Sequence, residues 1–478
     1  MDETLADLVA CEDALTFVNA AVTATGQREF HDDARQQVLS LGFLHDYTRE
    51  NYRHLYAAAL ALGVNDHNAA LIIRNLLVHA AAAVDAGRRR AEGRLIARRL
   101  ELLPAQRVYK LFGELRRLGA NNRRTRAIMR DWLAARPDPA FDAVKYRGRL
   151  KVAARHAHLR LRGETGDFLF APTARKRFET PMFESWRRAH HEQAAIYDLP
   201  YTVAEGFAAR HGVPRAVFLE RVEHRMTRLE RLRLQENAHA RKVEAIREQA
   251  DLPGMGLTRL ATYALSLRLD DRAARRAELT RALRTAALRA AGEQAGRWGT
   301  VAAVLDDSYS ATGSAQKRRR PLAVALACHH LLEALAAPGR YTAHWTSGRG
   351  DALLLYPSGP TPLGTRILDA LDTGPDRLVI VSDGWDNAPP GLAAEVLRVW
   401  RTRLDPGRRV TVTHLNPVYD AEGFDVRRLA PTVPTAGIRD AEDLPVLVEL
   451  ARFAEGRAGL AELTAYLDDR VARFLEQP

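Results

Sequence analysis

The chain has 478 residues, 46% hydrophobic and 27% charged, which is the composition of a folded globular protein with room for two or more domains. Its two cysteines, Cys11 and Cys328, can form neither a disulfide framework nor a zinc set, and no apolar run reaches the roughly 18 residues of a membrane span. These features exclude a small disulfide-rich secreted protein and a membrane-spanning one. The acidic start, MDETLADL, lacks the basic segment of a secretory signal, so we expect a cytoplasmic protein without a membrane partner.

From Leu5 to about Ala291, apolar residues recur at helical spacing and β-branched runs are scarce. Turn signals separate candidate helices at Leu8–Thr25, Asp32–Leu41, Arg49–Leu62, His67–Asp85, Arg90–Leu102, Gln106–Leu118, Asn122–Ala135 and Asp142–His158. Short helices in series predict an all-α HEAT-like solenoid, with degenerate repeats because no fixed period recurs. A further amphipathic stretch, Thr258–Ala291, precedes Gly292, so we place this domain at residues 1–295.

The positive charge is concentrated in the first part of the chain. Residues 1–300 carry 51 Lys and Arg against 36 Asp and Glu, a net +15, whereas residues 301–478 carry 20 against 23, a net −3. The strongest run, Ala86–Arg130, has 14 basic residues and 3 acidic ones. Because the acids needed for i,i+4 pairs are mostly missing, an external polyanion is favoured over a solvated helix face of mixed charge. Nucleic acid comes before a membrane surface or an acidic protein among the candidates.

The segment from Asn122 to His158 adds aromatic and histidine side chains to the basic run. Arginine and lysine neutralise phosphates, and a Tyr or His ring can stack on an unpaired base. The alternatives are a core aromatic at Tyr146 and a hydrogen-bonded structural histidine at His158. On the residues alone, both interpretations of each side chain stay open.

Three features follow one another here: a basic helix that ends near Trp132, the pattern Lys-Tyr-x-x-Arg at Lys145–Arg149, and a helix that ends with Arg and His. This order resembles the TROVE module of Ro ribonucleoproteins. The segment between Arg149 and His158 is several residues shorter than in that family, and His156 competes with His158 for the same role. The resemblance implies that Lys145, Arg149 and His158 contact RNA. With their neighbours, the candidate RNA-binding residues are Lys145, Tyr146, Arg149, Arg155, His158, Arg123, Arg124 and Arg126.

After residue 296 strands and helices alternate, which predicts an α/β doubly wound, Rossmann-like domain over residues 296–478. The predicted strands are Val301–Leu305, Arg340–Trp345, Ala352–Tyr356, Arg377–Ser382, Arg409–His414 and Val433–Gly437. The predicted helices are Arg320–Ala337, Pro362–Asp372, Leu392–Arg403, Leu444–Phe453 and Leu460–Leu475. Neither a Gly-rich phosphate loop nor a Ser-His-Asp order accompanies these elements.

Hydroxyl and carboxylate side chains follow the apolar strands of this domain. The run Val301–Leu305 leads into Asp306, Ser308 and Ser310, and the strand ending at Ser382 leads into Asp383. Open α/β sheets bind ligands at the carboxyl ends of their strands, and hard cations prefer such oxygen ligands. The alternative is that these residues serve only as helix caps and turns.

The ordered pattern D-x-S-x-S, Thr, Asp falls on Asp306, Ser308, Ser310, Thr361 and Asp383, and it resembles the von Willebrand factor A domain with its metal-ion-dependent adhesion site. Pro360 and Ser382 depart mildly from the family's pattern. The resemblance implies that these five residues bind a divalent cation, for which we expect Mg²⁺. Because most of these ligands are neutral oxygens, the ion keeps charge for an acidic group from outside, so we expect a protein partner at the metal.

Together these features predict a non-catalytic RNA-binding protein of the Ro type. The resemblance implies binding of small non-coding RNA and of single-stranded RNA ends in RNA quality control or processing. The alternative is an interaction adaptor whose A domain captures a protein ligand. In one version of this alternative, the adaptor works together with an AAA+ ATPase. A magnesium-dependent hydrolase is disfavoured, because the five residues include no obvious general base.

Overall fold

A computed structural model of the chain describes residues 5–31, 34–80, 84–161, 163–226, 230–231, 252, 254–451, 453 and 459–476. The chain divides into two compact units, Met1–Ala69 with Asp251–Pro478, called here the sheet unit, and Ala70–Ala250, called the helical unit. A helical region together with an α/β domain was predicted and is confirmed. The predicted boundary between residues 295 and 296 lies within the sheet unit.

The α-helices of the described residues are, in chain order, α1 (Leu5–Thr23), α2 (Ala34–Asn51), α3 (Arg53–Ala58), α4 (Asp66–Val78), α5 (Ala86–Leu102), α6 (Ala105–Arg117), α7 (Arg123–Ala134), α8 (Pro139–Lys145), α9 (Arg147–His156), α10 (Gly163–Phe170), α11 (Pro181–Arg188), α12 (Tyr201–Arg210), α13 (Arg215–Val222), α14 (Leu257–Ser266), α15 (Leu269–Ala274), α16 (Arg276–Ala291), α17 (Arg320–Leu335), α18 (Leu363–Leu371), α19 (Leu392–Val399), α20 (Leu444–Ala451) and α21 (Leu460–Glu476). The start predicted at Asp32 lies outside the described residues, and α2 runs past the predicted end at Leu41 to Asn51. Among the described residues, no helix combines the length and apolar character that crossing a membrane requires.

The strands are β1 (Val301–Leu305), β2 (Tyr341–Trp345), β3 (Arg377–Val381), β4 (Thr411–Asn416), β5 (Tyr419–Asp420), β6 (Asp425–Val426) and β7 (Thr435–Gly437). Five of them form one sheet in the order β2-β1-β3-β4-β7, with every neighbouring pair parallel. Strands β5 and β6 form a separate antiparallel pair. All five residues of β1 are buried, as expected for a parallel strand covered on both faces.

Helices cover both faces of the sheet. Ala302 and Val304 of β1 share one apolar cluster with Ile367 of α18 and Leu397 of α19. Helix α17, which is apolar along most of its length, packs against β1 and β2. Each crossover helix therefore returns the chain to the start of the next parallel strand, and the strands end at a common edge.

The sheet unit also contains helices that precede the helical unit in the sequence and helices that follow it. Helix α1 packs against β7, where Asn19 Oδ1 accepts a hydrogen bond of 2.9 Å from the Gly437 amide. A Cβ at Gly437 would lie 2.9 Å from the Asn19 carbonyl oxygen, so this approach requires glycine. Helices α14 and α16 pack against α17. The unit boundary therefore follows packing and not the change in local composition near residue 295.

Several predicted elements differ in the structure. The single helix predicted at Arg49–Leu62 is divided at Tyr52 between α2 and α3, and it ends in a 3₁₀ turn at Ala59–Ala61. The strand predicted at Ala352–Tyr356 is wrong, since Ala352–Leu354 forms a 3₁₀ turn. The buried guanidinium of Arg272 donates hydrogen bonds to the carbonyl oxygens of Leu353 and Leu355, at 3.3 and 2.8 Å, which removes these acceptors from a strand ladder. The single helix predicted at Asp142–His158 is divided at Tyr146, whose ring packs on Tyr109 and whose backbone leaves helical geometry.

We expect Ile367→Ala to lower the free energy of unfolding by about 2–5 kcal/mol, because the Ile367 side chain is fully buried between α18 and the sheet. Leu368→Ala is the matched control, since the next residue of the same helix is 45% exposed. It should change the free energy of unfolding by less than about 1 kcal/mol. Chemical denaturation of both variants measures the difference, and equal losses would contradict this assignment of the core face.

Candidate functional site

The sheet has a topological switch point at β1. The chain leaves β1 for β2 on one side and later inserts β3 on the other, so β1 lies between them. Doubly wound sheets bind ligands in the crevice outside the carboxyl ends of the strands at such a point. Asp306 directly follows β1 and Asp383 follows β3, with one residue between. Topology alone therefore brings these two predicted residues to one crevice.

The loop after β1 is folded around the carboxylate of Asp306. Its Oδ1 atom accepts hydrogen bonds from the Ser308 amide at 2.8 Å and the Thr346 hydroxyl at 3.2 Å. The turn that results places the Ser308 and Ser310 hydroxyl oxygens 3.2 Å apart. Asp306 and Ser308 are buried and Ser310 is half-buried. The three D-x-S-x-S residues thus lie together at the end of β1, as the motif predicts.

The loop that carries Thr361 is attached to the loop after β1. The Tyr309 amide donates to the Gly359 carbonyl oxygen at 3.0 Å, and the Ser358 amide donates to the Asp307 carbonyl oxygen at the same distance. Thr361 is buried, and its amide donates to Asn387 Oδ1 at 2.8 Å. These bonds join the loop before α18 to both neighbouring strand ends.

Asp383 is held by its own turn. Its Oδ1 atom accepts a hydrogen bond of 3.0 Å from the Trp385 amide, and its carbonyl oxygen accepts one from Asn416 Nδ2 at 3.0 Å. Gly384 follows with φ of +79°, and a Cβ there would lie 2.8 Å from the Arg427 carbonyl oxygen, so only glycine fits. These contacts fix the position of the Asp383 side chain, which is 4% exposed.

The electrostatics of the site favour a cation. Burial, together with the nearby charge of Asp383, raises the pKa of Asp306 to about 7. Two carboxylates this close repel each other, and a positive ion between them removes the repulsion. The remaining donors are hydroxyl oxygens, so the set as a whole is one that a hard divalent cation prefers. The residues therefore fit the magnesium ion that the sequence predicts, with Asp306, Ser308, Ser310, Thr361 and Asp383 as its ligands or as partners of its bound water.

Sequence reasoning missed two groups of residues around the crevice. Asp307, fully buried, accepts hydrogen bonds from the Ser347 amide at 2.8 Å and from its hydroxyl at 2.6 Å, which attaches the turn after β2 to the end of β1. The paired aspartates in the sequence could have signalled this role. His31 comes from the far N-terminal part of the chain, and its Nε2 atom lies 3.8 Å from Asp383 Oδ2. No local pattern predicts that contact.

The segment that carries His31 is anchored to the loop before α17. The Arg28 amide donates to Gln316 Oε1 at 2.9 Å, and the carboxylate of Glu29 pairs with the buried ammonium group of Lys317. The His31 ring lies 4.9 Å from that of Trp385, and the Arg427 guanidinium lies 3.8 Å from the same indole ring. These side chains and Asp383 line a cavity of about 260 Å³. A ligand group at the metal would enter beside this aromatic wall.

The predicted RNA-binding residues all lie in the helical unit, and their exposure differs. Arg123 and Arg126 are exposed on α7, and Arg149 and Arg155 are exposed on α9. His158, also exposed, lies just beyond α9, with its Nε2 atom 3.2 Å from Asn121 Nδ2. Arg149 also donates a hydrogen bond of 3.1 Å to the Gln106 carbonyl oxygen.

The other three candidates are half-buried and have charged or aromatic partners within the unit. Lys145 is 14% exposed and its ammonium group lies 3.0 Å from the Glu230 carboxylate. Arg124 forms an ion pair of 3.2 Å with buried Glu92, and the Tyr146 ring lies 5.0 Å from that of Tyr109. The arrangement therefore offers Arg123, Arg126, Arg149, Arg155 and His158 to an external ligand more directly than Lys145, Tyr146 and Arg124.

A scan against protein-family models found no match to the chain, and a search of curated proteins found none either.

We expect Asp306→Asn to stabilise the metal-free protein at pH 8 by at least about 1 kcal/mol, or about 2–4 °C in Tm. Because folding raises the pKa of Asp306 from 3.8 to about 7, ionised Asp306 lowers the free energy of unfolding of the wild type. This loss develops as the pH rises from 3.8 to about 7. The difference from wild type should therefore be small at pH 4 and full at pH 8. In saturating Mg²⁺ the wild type should become more stable than Asp306→Asn, because only the wild type binds the ion tightly.

Thermal unfolding in chelator and in magnesium, at several pH values, measures both effects. Asp372→Asn, which removes an exposed carboxylate after α18, is the matched control and should follow the wild type. If Asp306→Asn were less stable than wild type at pH 8 in chelator, the hydrogen bonds that the carboxylate accepts would outweigh its repulsion from Asp383.

Proposed function

We propose that this chain is a non-catalytic, cytoplasmic RNA-binding protein of the Ro type, with a solenoid-like helical unit that binds RNA and an A-type sheet unit that binds a metal and a partner. The distribution of charge between the two units is the observation that carries the proposal. Residues 70–250 contain 38 Lys and Arg against 20 Asp and Glu, a net +18. The remaining residues contain 33 against 39, a net −6. Only the helical unit therefore has a net positive charge.

The positions of the basic side chains support a polyanion as ligand. Exposed arginines recur along three successive helices, at Arg88, Arg89, Arg90 and Arg94 on α5, Arg116 and Arg117 on α6, and Arg123, Arg126 and Arg130 on α7. The acids of this region are largely engaged, since Glu92 pairs with Arg124, Glu101 with Arg98, and Glu114 lies within 4.0 Å of Lys110 and Arg117. Phosphates that displace counterions from such a surface gain free energy from their release.

RNA is favoured over a polyanion without bases because an imidazole ring and planar guanidinium groups lie on the same unit as the basic surface. His158, just beyond α9, and Arg149 and Arg155, both on α9, offer a ring and two guanidinium groups at exposed positions. Unpaired bases stack on such groups, whereas a duplex presents mainly its phosphates. We therefore propose small non-coding RNA and single-stranded RNA ends as ligands, in RNA quality control or processing.

In the sheet unit we propose that Asp306, Ser308, Ser310, Thr361 and Asp383 hold Mg²⁺. A magnesium ion bound largely by neutral oxygens would keep positive charge for an acidic group of a protein partner. The residues around it would orient that group: Trp385 and His31 form an aromatic wall, and Arg427 adds a second positive charge next to Asp383.

The second candidate function is an interaction adaptor, in which the sheet unit captures a protein ligand and the helical unit is a scaffold, in one form beside an AAA+ ATPase. The crevice at the switch point favours it, because this site lies in the unit without the basic surface. Metal-dependent partner capture without RNA affinity would identify the adaptor.

We expect the triple substitution of Arg123, Arg126 and Arg149 by Gln to weaken RNA binding at least about a hundredfold. Each interaction of this kind contributes roughly 1–3 kcal/mol, and each phosphate that is no longer neutralised should reduce the slope of log affinity against log salt by about 1. Fluorescence anisotropy with a single-stranded RNA and a small structured RNA, over a range of salt concentrations, measures both quantities. The full chain is required, because residues 1–69 and 251–295 are part of the sheet unit.

The matched control replaces Arg281, Arg318 and Arg403, which are exposed in the sheet unit, by Gln. It removes the same charge and should leave RNA affinity within about twofold of wild type. Equal weakening by the two triple variants would mean that net charge, and not the surface of the helical unit, binds RNA. An undetectable RNA affinity in the wild type would leave the adaptor as the better proposal.

Asp306→Ala should abolish magnesium binding and magnesium-dependent partner capture, while RNA affinity stays within about twofold of wild type. The carboxylate belongs to the sheet unit and none of the predicted RNA-binding residues does. Isothermal calorimetry with MgCl₂ and the anisotropy titration can be performed on one preparation. Asp372→Ala, an exposed carboxylate of the same unit, should behave as wild type in both. Loss of RNA binding in Asp306→Ala would contradict the separation of the two functions.

A further inference from the structure

A second cluster of metal-ligating side chains lies on α17. His329, His330 and Glu333 follow each other at positions i, i+1 and i+4, so that the carboxylate lies one turn from both imidazoles. One nitrogen of each histidine and one carboxylate oxygen all lie within 4.8 Å of one another. The cluster is in the last two turns of α17 and next to Tyr341, the first residue of β2. It therefore lies at the amino-terminal edge of the sheet, away from Asp306 at the carboxyl edge.

One polar atom of the cluster is buried without a hydrogen bond. The His330 side chain is 7% exposed, and its Nδ1 atom has no hydrogen-bond partner among the described residues. The nearest carboxylate oxygen, Glu333 Oε2, lies 3.7 Å away, which is too far for a hydrogen bond. Two ligands of one tetrahedral ion, at 2.0–2.1 Å from it, are about 3.3–3.5 Å apart, so this separation is close to what an ion between the two atoms would require.

Glu333 and His329 each have a second polar atom that already has a hydrogen-bond partner. Arg284 donates to Glu333 Oε1 at 3.0 Å, which leaves Oε2 facing His330. The His329 Nδ1 atom lies 2.9 Å from the Tyr341 hydroxyl oxygen. Metal-binding histidines and carboxylates usually carry such a hydrogen bond on the atom that does not bind the ion, because it fixes the orientation of the group.

We propose that His329, His330 and Glu333 form a binding site for a divalent transition-metal ion of the zinc class, distinct from the magnesium site. Two imidazoles and one carboxylate match the ligand preference of zinc and its neighbours, whereas Mg²⁺ prefers oxygen ligands alone. Three protein ligands leave a fourth tetrahedral position for water or another small ligand. Solvent can reach the site, since the side chains of Glu333 and Arg284 are 35% and 60% exposed.

The test is a Zn²⁺ titration of the chelator-treated full chain against a chromophoric competitor. Wild type should bind one Zn²⁺ tightly, Glu333→Gln and His330→Gln should each weaken binding at least tenfold, and the double variant at least a hundredfold. The matched control is the double variant of His190 and His191 to Gln, which removes another adjacent histidine pair, in the helical unit, and should bind as wild type does. Asp306→Ala should also keep Zn²⁺ affinity, since the proposed site does not depend on the magnesium site.

Co²⁺ provides a second readout that adventitious surface binding does not reproduce. A tetrahedral site gives intense visible absorption bands, which should be present in wild type and absent in Glu333→Gln. Tyr341→Phe should weaken Zn²⁺ binding about tenfold through the orientation of His329. If buried His330→Gln does not fold, the partly exposed Glu333→Gln decides. A wild type without a tight Zn²⁺ site, or equal affinity in wild type and Glu333→Gln, would overturn the proposal and leave an ion-pair cluster with Arg284.

Discussion

The repulsion between two buried carboxylates, Asp306 and Asp383, is the constraint on which the crevice of the sheet unit depends. Burial of β1 and β3 on both faces brings both groups to one edge of the sheet. Hydrogen bonds from the Ser308 and Trp385 amides oppose the repulsion but do not remove it, since the pKa of Asp306 is still raised to about 7. The free energy that folds the sheet thus maintains an arrangement that protonation of Asp306 or a bound cation would relieve, as is common at functional sites.

The sequence predicts what depends on neighbouring residues and misses what depends on distant ones. Two-residue spacing places Asp306, Ser308 and Ser310 in one turn, and an apolar run followed by Asp marks a strand end, so the chemistry of the crevice can be predicted locally. His31 reaches Asp383 from a segment that precedes β1 by 270 residues. Only the folded chain shows that contact, because nothing in the local pattern encodes it.

The packing around residue 295 and the surroundings of the predicted RNA-binding residues also depend on distant parts of the chain. Composition changes near residue 295 because helices give way to strands, yet α1, α14 and α16 pack with the sheet, so secondary structure and packing change at different places. Lys145 and Tyr146 have the residue types of an RNA contact, but Glu230 and Tyr109 lie against them in the fold. Residue type predicts which chemistry is available, and tertiary partners decide which side chains remain accessible.

The two proposed metal sites lie near opposite ends of α17 and differ in chemistry. Near its N-terminus the candidate ligands are carboxylate and hydroxyl oxygens, which suit a hard ion that exchanges its water reluctantly. Near its C-terminus they are two imidazoles and one carboxylate, which suit a borderline ion held more tightly. Both proposed sites belong to the unit whose net charge is −6, where bound cations would reduce the repulsion among acidic groups. The unit with a net +18 would need no metal to attract a polyanion, so in this proposal each unit recruits its ligand by a separate electrostatic route.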